Sequence, residues 1–133
     1  MANEVRQIYR SQIANIASGL ALTANVQSGQ QTTVLNQGSG QNCAGAEAVR
    51  FELVVTSGPS TATSCLLYLH PSHDGGSNYM AGRVAGAFVV PTGTGRYECV
   101  VHDLPPLAKV SLLAISYGMT VTLNAVPQLP EIQ

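Results

Sequence analysis

Ser64-Cys65-Leu66-Leu67-Tyr68-Leu69-His70-Pro71-Ser72-His73-Asp74-Gly75-Gly76-Ser77-Asn78-Tyr79 joins an apolar run to a proline and then to a cluster of turn formers. Asp, Gly, Ser and Asn each favour tight turns, so the segment reads as a strand that ends in a loop. The same grammar repeats from about residue 16 to the end of the chain. It predicts an all-β domain and leaves few reactive side chains.

Outward from this stretch, the alternation is cleanest just before it. Val49, Phe51, Leu53 and Val55 fall on one face, and Arg50, Glu52 and Thr56 on the other. That pattern predicts a strand of a sheet with one wet face. Ser57-Gly58-Pro59-Ser60 is the turn that follows, and Thr63 to His70, apolar on both faces, reads as a central strand. Beyond the Asp74-Gly75-Gly76 loop, Arg83 to Val90 is a strand flanked by Gly82 and carrying Gly86. Arg96 to Leu104 is the next, stopped by Pro105-Pro106. Val110 to Tyr117 and Met119 to Val126 are two apolar strands joined at Gly118, with Pro127 and Pro130 closing the chain.

Upstream, Leu20 and Leu22 alternate with Ala21 and Thr23 in a first strand, and Thr32 to Leu35 gives a weaker one. The Gly-rich stretch 36–46 reads as a connection, because no Gly-Lys-Ser/Thr follows to make a phosphate loop. About eight strands at intervals of roughly 8 to 14 residues, with no helix signals between them, predict an antiparallel sandwich or barrel. Residues 3–16 differ. Val5, Ile8, Tyr9, Ile13 and Ile16 approximate a helical stripe, with Asn3 as a cap and Gly19 as a stop. A stripe so short is marginal as a helix on its own. The expected organisation is therefore an N-terminal arm over 1–16, helical or extended, and a single β-sandwich domain over 17–133.

Composition narrows function. Only 10% of the 133 residues are charged, against about 25% in an ordinary soluble domain. Few charges give weak protection against association, so the expected surface is one covered by partner subunits; a neutral, hydroxyl-rich extracellular surface is the other reading. A net charge of -1 with a single lysine, Lys109, argues against nucleic acid as a partner. Arg6 and Arg10 form a small basic pair that suits a protein-facing role. Cys43, Cys65 and Cys99 are odd in number and widely spaced, which suits free thiols in a reducing cytoplasm and neither a disulfide framework nor a zinc site. The start has no apolar h-region, and no apolar run approaches the ~18 residues of a membrane helix, so neither export through a signal peptide nor a membrane partner is expected.

Candidate chemistry is sparse. His70-x-x-His73-Asp74, completed by His102-Asp103, is the only metal-like grouping, and the turn preferences of these residues account for it without a metal. No Gly-x-Ser-x-Gly nucleophile setting occurs, Cys65 lies in an apolar strand, and the acids show no pairing for glycoside hydrolysis. Catalytic residues, cofactor and metal are accordingly all expected to be none. Tyr68, Tyr79, Tyr97 and Tyr117 would make a glycan platform only if they converged.

Over residues 47–126 the order of features resembles small bacteriophage virion proteins with a jelly-roll fold. The resemblance is carried by Phe51-Glu52-Leu53-Val54-Val55-Thr56, Leu66-Leu67-Tyr68-Leu69, the loop Pro71 to Tyr79, Ala87-Phe88-Val89-Val90, Asp103-Leu104-Pro105-Pro106, and the strand pair from Val110 to Val126. It implies a jelly roll and a capsid decoration, or cement, protein of the virion. Its partners would be the major capsid protein or other virion subunits, and it would itself be a homo-oligomer, dimer or trimer. Alternatives are a tail, collar or fibre-attachment protein and, from another class, a glycan-binding module. Within the arm, Val5, Arg6, Ile8, Tyr9, Arg10 and Ile13 are the expected protein-interaction residues.

Overall fold

A computed structural model describes the backbone of residues 5–9, 14–31, 35–36, 48–102, 105 and 107–132, and the side chains of 15–31, 48–102, 105 and 107–127. Within them the chain is all β. The strands are β1 (Val5–Tyr9), β2 (Ala14–Leu22), β3 (Leu35–Asn36), β4 (Ala48–Ser57), β5 (Thr63–Pro71), β6 (Arg83–Val90), β7 (Gly95–Val101), β8 (Leu107–Ala114) and β9 (Met119–Ile132).

They form two antiparallel sheets. The first has the order β1-β9-β4-β7, with β2 also on β9; the second has the order β3-β8-β5-β6. The pairing is nested along the sequence. β5 pairs with β6, β4 with β7, β3 with β8 and β2 with β9. A long double strand with its apex at the β5–β6 loop has thus been rolled so that its pairs divide between two sheets. The β4–β9 and β5–β8 ladders close each sheet across the roll. This is the jelly-roll arrangement.

Alternation places the core between the sheets. Phe51, Leu53 and Val55 of β4 and Val121, Leu123 and Ala125 of β9 face Leu67 and Leu69 of β5, Phe88 of β6, and Val110 and Leu112 of β8 in one buried cluster. Central β5, read from its apolar run, is flanked by β8 and β6 as that run requires.

Three departures from the sequence reading have physical causes. The helical option for the arm gives way to the extended one: β1 is a strand, paired with Gln128–Ile132 of β9, so a ladder partner outweighs a marginal helical stripe. β2 begins at Ala14 and its Ile16 is buried, so the arm-like part stops before residue 14. Finally, β9 does not close at Pro127. Pro127 pairs with Val49 of β4, and β9 runs on past it to Ile132. Thr32 to Val34, most of the 36–46 connection, Cys43, Asp103 and Leu104 lie outside the described residues.

Candidate interaction faces and the buried histidine

The outer face of the first sheet carries a network of matched charges, with Val100 of β7 43% exposed beside it. Register places Glu52 directly opposite Glu98 on β4 and β7, an unfavourable like-charge pair by itself. The neighbouring arginines resolve it diagonally. Arg96 donates to Glu52 at 3.3 Å, and Arg50 donates to Glu98 at 3.2 Å. Asn124 of β9 also donates to Glu52, at 3.2 Å, and Asn15 of β2 donates to Asn124 at 3.0 Å. The network therefore crosses all four columns of the sheet.

The outer face of the second sheet is different. Ser64, Leu66 and Tyr68 of β5 stand in register with Val89, Ala87 and Val84 of β6, and Leu66 with Leu113 of β8. None of these seven is charged. Val89 is 77% and Val84 52% exposed. The register shifts between Leu67 and Tyr68, a bulge that returns Val84 to the outer face.

At one end of this face the polar groups are buried. His70 continues the outward-pointing row of β5 but is covered, only 4% exposed. Its Nδ1 lies 3.1 Å from the Met80 carbonyl, which can only accept, and 3.3 Å from Gln30 Nε2; the carbonyl favours the tautomer with the proton on Nδ1. Nε2 then accepts from the Ser111 hydroxyl of β8 at 2.7 Å. Gln27 donates to the same Ser111 oxygen at 2.7 Å, and the Gln30 carboxamide stands 3.3 Å from Nδ1. Both glutamines belong to residues 23–31, which run along the free edge of β8 through Asn25 N–Ala114 O, Ser28 N–Leu112 O and Gln31 N–Val110 O bonds of 2.7, 2.8 and 2.9 Å. Gly82 lies over the ring so closely that a Cβ there would come within 2.5 Å of Cε1. One imidazole thus ties β5, β8, the 23–31 segment and the loop after β5 together.

Beside it, Lys109 stands over the Tyr79 ring at 4.4 Å. The loop turns on Asp74, whose carboxylate accepts from the Asn78 backbone N–H, the Asn78 carboxamide and the Ser72 hydroxyl, each at 2.9 Å. These bonds, that from the Asn78 backbone first, hold its pKa below the usual carboxylate value.

The sequence-derived candidates fall as follows. His70 and His73 are not brought together: His70 is buried in the bonds above and His73 is exposed, and among the described residues no group of three or more His, Cys, Asp or Glu is arranged to hold a metal. The four tyrosines do not converge. Tyr97 packs against the core, Tyr68 lies on the outer face of the second sheet, Tyr79 is under Lys109, and Tyr117 sits in the β8–β9 turn. Cys65 and Cys99 are free thiols pushed up to about 12 and about 11 by burial, which suppresses thiolate chemistry. Of the expected interaction residues, Val5, Arg6, Ile8 and Tyr9 lie on β1, and Arg10 and Ile13 lie outside the described residues.

Sequence reading missed the His70–Ser111 pair. A serine and a histidine in hydrogen-bond contact, with the second ring nitrogen oriented by an acceptor, is the geometry of an activated nucleophile. Here Ser111 is 0% exposed and its oxygen is already engaged by Gln27, so the pair serves as structure. The only sequence signal was a lone serine in the apolar strand Val110-Ser111-Leu112. Comparison of the chain with known protein families, with characterised proteins and with solved structures finds no match.

Proposed function

We propose that this protein is a virion structural protein, a decoration or cement protein that binds a phage head shell and braces it. The observation that carries the reading is the inequality of the two outer faces. A face whose charges are matched within the sheet has no electrostatic demand for a partner. A neutral face with Val84 and Val89 exposed is the kind of contiguous apolar patch that marks a protein contact. The seven side chains of this row carry no ion, so covering them avoids the cost that opposes burial of charged surface, with Lys109 and Arg83 at its margin. The rolled double sheet adds rigidity, since both edges of β4, β5 and β9 are paired for most of their length. The protein acts, in this reading, through shape and contact area, in many copies, on the virion.

Co-sedimentation tests it. Co-produced with the shell subunits of its phage, the protein is expected to pellet with assembled shells, and Val89→Asp to leave it in the supernatant while still folded. A wild-type protein that stays in solution with every assembled shell tested overturns the reading.

A further inference from the structure

The neutral row on the outer face of the second sheet is too small to hold a partner by itself. One residue on a sheet face occupies about 4.8 Å between strands and ~6.7 Å along its own, so the seven of this row cover roughly 225 Å². Even doubled for the relief of the side chains, that is well short of the ~800 Å² a stable contact covers on each partner. A protein seated on Leu66, Tyr68, Val84 and Val89 therefore reaches past the row. At the Tyr68–Val84 end the exposed apolar surface goes on in Met80, 52% exposed, whose carbonyl holds His70. At the same end, the outward position of β8 that follows buried Ser111 is Lys109, directly opposite His70 in the β5–β8 ladder.

Lys109 is the only lysine of the chain. Its ammonium stands 4.4 Å over the Tyr79 ring, which holds a cation in place without neutralising it. Among the described residues no carboxylate pairs with it. Glu52 and Glu98 are engaged by Arg96 and Arg50 on the opposite sheet, and Asp74 by Asn78 and Ser72. Pressing an uncompensated ammonium under a partner strips its water with no return. An acid set against it fixes orientation and draws the partner in. The row thus supplies apolar contact, and Lys109 sets the sign of the charge that has to meet it.

We propose that Lys109 is the charged contact of this face: the protein seated on the row sets an aspartate or glutamate against the Lys109 ammonium, where the Tyr79 ring holds it. The occupant is an acid-edged apolar surface of another protein. A second copy of this chain fits less well, because its described carboxylates are already engaged. The proposal rests on the decoration reading and adds the chemistry that the shell subunit has to offer.

Because the chain has a single lysine, a zero-length carbodiimide, which joins an amine to a touching carboxylate as an amide, reads this contact directly. Applied to the wild-type protein bound to assembled shells of its phage, and followed by mass spectrometry, it is expected to yield an amide between Lys109 and an Asp or Glu of a shell subunit. Lys109→Glu, shown to be folded by circular dichroism, is expected to pellet with shells at least tenfold less, and changing the coupled shell acid to lysine is expected to restore it. Shell-bound protein whose Lys109 couples to no shell carboxylate overturns the proposal and leaves the decoration reading standing. So does a Lys109→Glu variant that pellets as the wild type does. A covalent dimer formed through Lys109 in the shell-free protein also overturns it, because the occupant is then a second copy. A wild type that pellets with no assembled shell removes both the contact and the decoration reading.

Discussion

The two outer faces of the roll are built by the same pleated alternation, yet they are finished in different ways. On the first sheet, Glu52, Glu98, Arg50 and Arg96 cancel one another within 3.3 Å. On the second, Leu66, Tyr68, Val84, Ala87, Val89 and Leu113 leave a neutral surface, and the polar groups withdraw beneath it into the His70–Ser111 contact. The difference teaches that a low content of charge is not spread evenly. On the first sheet the four charges are matched to one another, whereas on the second Arg83 and Lys109 stand at one end of a row that is itself uncharged, next to the buried histidine.

The sharpest way to break this contrast is from beneath the neutral face. Ser111→Val removes the hydroxyl that serves both His70 Nε2 and Gln27, leaving them only their own long contact of 3.4 Å in place of two bonds of 2.7 Å. Such a loss costs about 1–3 kcal/mol, and inserting a Cβ at Gly82, 2.5 Å from the ring, costs a comparable ~1–3 kcal/mol of overpacking. For a domain of this size each lowers the melting temperature by several degrees, with residues 23–31 losing hydrogen-exchange protection before the core does. If Ser111→Val melts as the wild type does, the histidine contact is not what holds the segment.

On the face itself, stability and association should separate. Val89 is 77% exposed, so Val89→Asp is expected to shift the melting temperature little while reducing retention on assembled shells at least tenfold. The matching change on the other sheet, Glu98→Gln, should leave retention intact. Equal losses from the two variants would show that the faces are not distinguished by their partner.

Much of this division was legible in the chain. Arg50 and Glu52 on one side of Val49-Phe51-Leu53-Val55 announced a wet face, and the double-sided run of Thr63 to His70 announced a central strand. What could not be read was anything set by register. That Glu98 would stand opposite Glu52 follows from the Gly95–Val55 pairing, which only the closed roll fixes. His70 and Ser111 are 41 residues apart, and the bond between them is made by the β5–β8 ladder, not by any local pattern. The arm misled for the same reason. Val5, Ile8 and Ile13 have a spacing near that of a helix, and only the distant Gln128–Ile132 edge makes Val5–Tyr9 a strand.

The thiols extend the contrast to alkaline pH. Cys65 and Cys99 are inward residues of opposite sheets, held protonated by burial with values near 12 and 11, against 9.0 without that burial. A raised value in the folded chain means that unfolding releases protons above pH ~9, so their contribution is complete below that pH and is lost as pH climbs toward 11 and 12. Wild type should therefore lose stability between about pH 9 and 11, in step with exposure of both thiols to a colorimetric reagent, and Cys65→Ala should flatten the profile while lowering its plateau. A profile unchanged by that substitution would mean the alkaline loss comes from elsewhere.

The smallest effects belong to the finished face and to the turn that follows β5. Arg96 is 71% exposed, and an ion pair so open to water contributes at most about 1 kcal/mol. Arg96→Gln alone is therefore expected to shift melting by a few degrees at most, with 0.5 M salt erasing part of the difference. Asp74 lies wholly in solvent, and its lowered value gives the sign without a magnitude. The bonds from Asn78 and Ser72 stabilise the carboxylate above its unfolded value near pH ~3.9 and are lost as pH falls through the lower folded one. Between pH 5 and 3, Asp74→Asn should lose less stability than wild type in paired melts. A steeper fall for the asparagine variant would mean that the turn does not depend on the charge, and that the Ser72–Gly76 bond at 2.9 Å holds the loop by itself.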